Sequence, residues 1–100
     1  MKTGEALSLT IKDIRLHKEE RMAQGALYGT YTSNYVARFR EYPYGIAVVD
    51  ELASDMHPDW DKKTDNRANI LSRELAGKKV NVLVTEVYDG KDTFEGVIQL

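Results

Sequence analysis

The stretch Ala6-Leu7-Ser8-Leu9-Thr10-Ile11-Lys12-Asp13-Ile14-Arg15-Leu16 decides the fold. Leu7, Leu9 and Ile11 alternate with polar neighbours, the two-residue period of a half-buried strand. The phase then slips by one, and Ile14 and Leu16 carry the pattern onward. One extra residue at Lys12-Asp13, a β-bulge, keeps both halves of the apolar set on one face and bends the strand. A strand bent in this way belongs in a curved sheet.

Downstream, Lys18-Glu19-Glu20-Arg21-Met22-Ala23-Gln24 is a run of good helix formers ended by Gly25, short and polar, and predicts one exposed helical turn. Between Leu27 and Tyr42 the aromatic and β-branched residues, with Gly29, Ser33 and Asn34 as poor helix formers, predict extended chain. As one long strand it puts Leu27, Tyr31, Tyr35, Ala37 and Phe39 on one face and Tyr28, Asn34, Arg38, Arg40 and Tyr42 on the other. With Ser33-Asn34 as a tight turn, Tyr28, Tyr35, Ala37 and Phe39 fall together, opposite Tyr31, Val36, Arg38 and Arg40. Arg38 and Arg40 lie on the less apolar side in both.

Pro43 suits a first helical turn, and Ile46, Val49, Ala53 and Met56 have the spacing of a helical stripe, so a helix running to about Met56 is expected. A buried strand over Ile46 to Val49 competes with it, because periodicity does not decide so short an apolar run. His57-Pro58 ends the element in either case. Thr64 is an N-cap candidate with Asp65 at the positive helix end, Ala68, Leu71 and Leu75 form the next stripe, and Gly77 supplies a left-handed stop. Val80, Val82 and Val84 then alternate, Asp89-Gly90 signals a turn, and Thr93 to Leu100 returns as a second strand.

The helix over 64–76, the run Gly77-Lys78-Lys79-Val80-Asn81-Val82 and then Phe94-Glu95-Gly96-Val97-Ile98 resemble the opening half of an Sm-type small barrel, over a third of the chain. The remaining strands of such a barrel would have to come from Leu7 to Leu16 and Leu27 to Phe39. The resemblance concerns architecture and carries no RNA binding with it. The expected fold is α+β: a small curved antiparallel sheet, able to close like a barrel, with two helices in a single domain over residues 1–100.

One hundred residues hold one modest core, so self-association would be a natural supplement to stability and a homo-oligomer is expected. A formal charge of -2 argues against holding long duplex nucleic acid by blanket phosphate neutralisation. The absence of cysteine removes disulfides, thiolate nucleophiles and cysteine-ligated zinc, and suits a cytoplasmic protein. Neither a signal peptide nor an apolar run long enough to span a bilayer is read, so no membrane association is expected.

The chemistry-bearing residues give no specific catalytic or cofactor pattern. His57-Pro58-Asp59-Trp60-Asp61, with Asp65, offers His57 and Asp59 as weak ligands for a divalent ion, against a loop whose acids are solvated. Asp50, Glu51 and Asp55 read as the wet face of a helix rather than a paired-carboxylate site. No serine lies in a Gly-x-Ser-x-Gly elbow, and Gly77-Lys78-Lys79 lacks the rest of a phosphate-binding loop. The reading leans away from an enzyme and implies no cofactor.

Five of the six tyrosines fall between Tyr28 and Tyr44, interleaved with Phe39, Arg38 and Arg40. A small domain has few partners for so many buried hydroxyls, so several rings should face outward, where tyrosine and arginine anchor protein interfaces. The expected function is non-enzymatic binding by a stoichiometric inhibitor or adaptor, a class that includes phage accessory proteins acting against host defences, through Tyr28, Tyr31, Arg38, Arg40 and Tyr42. The alternative is an oligomer that binds or sequesters a nucleotide at a subunit interface, with tyrosine rings on the base and Arg38, Arg40, Arg67 or Arg73 on phosphate. Single-stranded nucleic acid is a third, weaker option.

Overall fold

The computed structural model describes residues 1–21, 30–60, 62–88 and 93–99, and the side chains of all of these except 19–21 and 30–32. Its elements are β1 (Ala6–Arg21), β2 (Thr30–Phe39), β3 (Ile46–Val48), α1 (Asp50–Met56), α2 (Asp65–Leu75), β4 (Lys79–Tyr88) and β5 (Thr93–Gln99). The strands close into a ring in the order β1-β2-β3-β5-β4, with β4 pairing back onto β1. Strands β4, β1, β2 and β3 thus stand side by side as a Greek key, and β5 fills the remaining gap.

The class is α+β with a curved sheet and two helices, as the sequence predicts, but the sheet is mixed rather than antiparallel. β3 and β5 run parallel, with Ala47 opposite Gly96. The reason is topological: both helices intervene between β3 and the β4–β5 hairpin, a long crossover of the kind parallel neighbours need.

β1 is continuous from Ala6 to Arg21, and its register against β2 shifts between Ile11 and Asp13, the bulge read from the phase slip. Its first half pairs with β4 and its second with β2, so this bent strand closes the ring. Lys18 to Arg21 belong to it, paired with Ser33 to Thr30, and are not helical. Cross-strand pairing overrides the local helix propensity there; the remainder of that predicted turn, Met22 to Gly25, lies outside the described residues. β2 is one uninterrupted strand, which removes the tight turn at Ser33-Asn34. Tyr35, Ala37 and Phe39 face the core from it.

Chain from Pro43 onward divides between the two competing readings. Ile46–Val48 is strand, and the helix begins at Asp50 instead of after Pro43. Pairing on both sides holds the short strand extended, with Val36 opposite Val48 on β2 and Val97 opposite Val48 on β5. Thr64 caps α2 by accepting from Arg67 N at 3.2 Å, and Gly77 takes φ 85° just past the helix end. Ala68, Leu71 and Leu75 turn inward and share one buried cluster with Ile11, Ile14 and the Phe39–Phe94 pair, whose ring centroids are 6.2 Å apart. Ser72 Oγ accepts the Ile14 N–H at 3.0 Å, tying α2 to β1 just beyond the bulge. β4 and β5 form the expected antiparallel hairpin, with the predicted turn residues Asp89-Gly90 outside the described set.

Candidate binding surface

The link between β2 and β3, residues 40–45, is pinned at Arg40, Glu41, Tyr42 and Gly45. Arg40 N donates to Thr10 O at 3.0 Å, and Thr10 N donates to both Glu41 carboxylate oxygens at 2.8 and 3.1 Å. Gly45 N closes the turn onto Tyr42 O at 3.0 Å. Tyr42, half-buried, meets Phe94 edge-on at 5.8 Å, and a Cβ at Gly45 would stand 2.1 Å from the same Phe94 ring. Only glycine fits this approach, because Phe94 is fully buried and has nowhere to move. The loop nevertheless presents Arg40 and Tyr44 to solvent, with Tyr44 60% exposed.

The other predicted contact residues are dispersed. Tyr28 lies outside the described residues, and only the backbone of Tyr31 is described, in β2. Arg38 donates through Nε to Asp13 at 2.7 Å and through a second nitrogen to the other carboxylate oxygen. This hydrogen bond holds the Asp13 carboxyl below the ordinary carboxylate range, against the opposing effect of burial, and raises Arg38 in return. Arg67 covers one face of Trp60, 5.2 Å from the ring centroid, and donates to Lys62 O. Arg73 is exposed in the last turn of α2. Arg38 thus stands on β2, while Arg67 and Arg73 lie in the first and last turns of α2, and Arg38 and Arg67 are internally engaged.

His57 and Asp59 follow a similar course. The His57 ring stacks on Trp60 at 3.9 Å and its Nε2 lies 3.0 Å from Glu74 Oε2, while Asp59 is exposed. Among the described residues no three histidine or acidic side chains gather as a metal site.

A second surface was not anticipated. Val36 on β2 is only 6% exposed yet stands outside the core cluster, as do Ile46, Val48, Leu83 and Val97. Alternation explains this: their neighbours Tyr35, Ala37, Ala47, Val82, Val84 and Ile98 face inward, so these five face outward. Register aligns Val36, Val48, Val97 and Leu83 as one row across β2, β3, β5 and β4. A groove of about 200 Å³ runs along it between His17 and Asn34 on one side and Thr85 and Glu95 on the other. A second groove, about 290 Å³ and mostly apolar, meets it at Val48 and Val97 and reaches Leu52. At one end of the row Arg15 pairs with Val36. Toward the β4–β5 side Glu95 pairs with Glu86 and both approach Tyr88, whose phenol is pushed up to about 12 by lost hydration and by those two carboxylates.

The sequence carried a signal for this row in apolar residues at successive positions, Tyr35-Val36-Ala37, Ile46-Ala47-Val48-Val49, Val82-Leu83-Val84 and Val97-Ile98, which mark strands covered on both faces. Comparison with protein-family models, with curated proteins and with solved structures finds no match. No helix among the described residues is long and apolar enough to cross a membrane.

Proposed function

We propose that this chain is a non-catalytic, cytoplasmic protein-binding module, an inhibitor or adaptor, whose contact surface centres on the loop 40–45. The observation that carries the reading is Tyr44, exposed on a loop that is otherwise fixed. A large ring held ready in one place loses little entropy on contact, and a neighbouring arginine supplies directional donors; such residues dominate protein interfaces. Arg40 and the exposed edge of Tyr42 extend that surface. The described outward positions of β2 and β3, Asn34, Val36, Arg38, Ile46 and Val48, are aliphatic or polar. Single-stranded nucleic acid favours stacked aromatic rings along a basic groove, so this composition favours a protein partner.

Affinity capture from the source cell, quantified by mass spectrometry, tests the reading. The native chain retains one protein at near-equal stoichiometry, while Tyr44→Ala and Arg40→Ala each reduce retention by at least about tenfold. Neither change lowers the melting temperature, since neither side chain is buried. Equal retention by all three chains removes the loop from the function.

A further inference from the structure

We infer that the partner met by the loop 40–45 presents an acidic segment, which docks on a basic rim where β1, β2 and β4 come together beside that loop. This partner chemistry rests on the loop being a contact surface, and it adds what the loop contacts. Backbone pairing gathers the cations. Arg40 N donates to Thr10 O at 3.0 Å, Ile11 N donates to Lys78 O at 2.9 Å, and Thr10 stands opposite Lys79 in the β1–β4 register. Arg40, Lys78 and Lys79 therefore flank the two residues Thr10 and Ile11, each about 5 Å away, one strand spacing. The Arg40 side chain shortens the gap further, its guanidinium lying 3.7 Å from where a Cβ on Gly77 would stand, one residue before Lys78. Lys12, exposed on the bulge, follows Ile11.

All four cations are exposed, and among the described residues none of them is in an ion pair. The neighbouring carboxylates are already occupied: Glu41 accepts the Thr10 N–H and Asp13 holds Arg38. A chain of formal charge -2 thus collects like charges at one rim, a repulsion that a bound anion relieves. The negative end of α2 also draws cations, but Arg73 already stands in its last turn, and Lys79 belongs to a strand. An acidic protein segment suits the rim better than a nucleic acid. A phosphate backbone, charged at every step, would also meet Glu41 next to Arg40 and Asp13 next to Lys12, and on the loop only Tyr44 offers a well-exposed ring for a base. A few carboxylates on a folded partner need meet only the cations, while Tyr44 supplies the adjoining apolar contact.

Amide-shift mapping by NMR of the full chain, titrated with a hexaglutamate peptide as probe, tests this. The shifts concentrate at residues 10–12, 40–41 and 77–79, and binding weakens as salt is raised, as exposed charges require. Lys78→Glu combined with Lys79→Glu weakens the peptide by at least about tenfold, and Lys78→Gln with Lys79→Gln by less, since the first pair repels the probe where the second only ceases to attract it. Circular dichroism of both variants stays native, because both side chains are exposed. Absence of binding, shifts scattered over the surface, or a charge-reversed chain that binds as well as the native one overturns the inference. So does tighter binding of oligothymidylate than of hexaglutamate, which would make the rim a nucleic-acid site, or full competition by inorganic phosphate at equal concentration, which would make it a small-anion site. The reading of the loop fails separately: a peptide that maps to the rim while Tyr44→Ala still retains the cell's partner removes the loop alone, and loss of that partner with no peptide binding removes only the acidic segment.

Discussion

Asp13 occupies the far side of the β1 bulge, and the bulge is what turns its side chain outward to meet Arg38 across the strand pair. The lowered carboxyl has a definite consequence for stability. A group whose folded value lies below its unfolded one contributes fully above the unfolded value, here an ordinary 3.8, and loses that contribution as pH falls through the folded value. Asp13→Asn should therefore cost about 1 kcal/mol at neutral pH, at the upper end for a partly exposed pair because Arg38 engages both oxygens. Urea unfolding at neutral pH and well below 3.8 checks this: the gap between the two chains should close at the acid end. A gap of constant size would mean that the carboxylate's charge contributes nothing. The same residue shows what one sequence can reveal, since the phase slip located the bulge while the partner across it needed the register. Tyr35 shows the limit of the hydroxyl argument, being 2% exposed with its hydroxyl unpartnered among the described residues. Of the rings in that stretch Tyr44 is exposed and Tyr42 is half-buried, while Tyr28 and the side chain of Tyr31 lie outside the described set.

At the scale of elements, the passage from β3 into α1 is the least regular part of the ring and the most dependent on one side chain. β3 stops at Val48, yet β2 continues, and its edge still needs partners. Val49 N donates to Tyr35 O at 2.9 Å, and Asp50 then supplies a carboxylate where the next strand residue would be. Its Oδ1 accepts the Tyr35 N–H at 2.7 Å, and its Oδ2 accepts from Lys63 Nζ at 2.9 Å. Lys63 also donates to Ser33 O at 2.7 Å, so one lysine and one aspartate join β2, α1 and the chain before α2. Asp50→Ala should lower stability by about 2 kcal/mol, because it strands a part-buried N–H and an ammonium together. Thermal or urea unfolding measures this directly; a loss below about 0.5 kcal/mol would show that solvent replaces the carboxylate at no cost. This junction explains the uneven legibility of the fold. α2 could be read from end to end because its cap, stripe and stop are all local. Strand β3 could not, since the four-residue run Ile46 to Val49 becomes extended through β2 on one side and β5 on the other, both far away in sequence. Arg40 and Tyr42 were visible by composition, whereas the exposure of Tyr44 follows from Phe94 and Gly45 holding the loop.

Across the whole molecule, the ring and the helices share one core instead of forming two layers with separate stabilities. Phe39 and Phe94 from opposite parts of the ring, Leu71 and Leu75 from α2, and Ala53 from α1 belong to a single buried cluster. Trp60, the only tryptophan, leans on that cluster from the connection between the helices, with His57 stacked on its ring and Arg67 5.2 Å from the ring centroid. Its fluorescence therefore reports on the helical side, while the far-ultraviolet dichroism of this chain is dominated by the strands. For a domain of this size with one core, the two signals should lose their native values at the same denaturant concentration, in one cooperative step. β1 enforces the coupling. It pairs with β2 and β4, and it receives α2 through Ser72, so the helix and the ring cannot come apart without breaking the strand that closes the sheet. A tryptophan midpoint clearly below that of the sheet would mean that the helices form a separate unit resting on an independently stable ring.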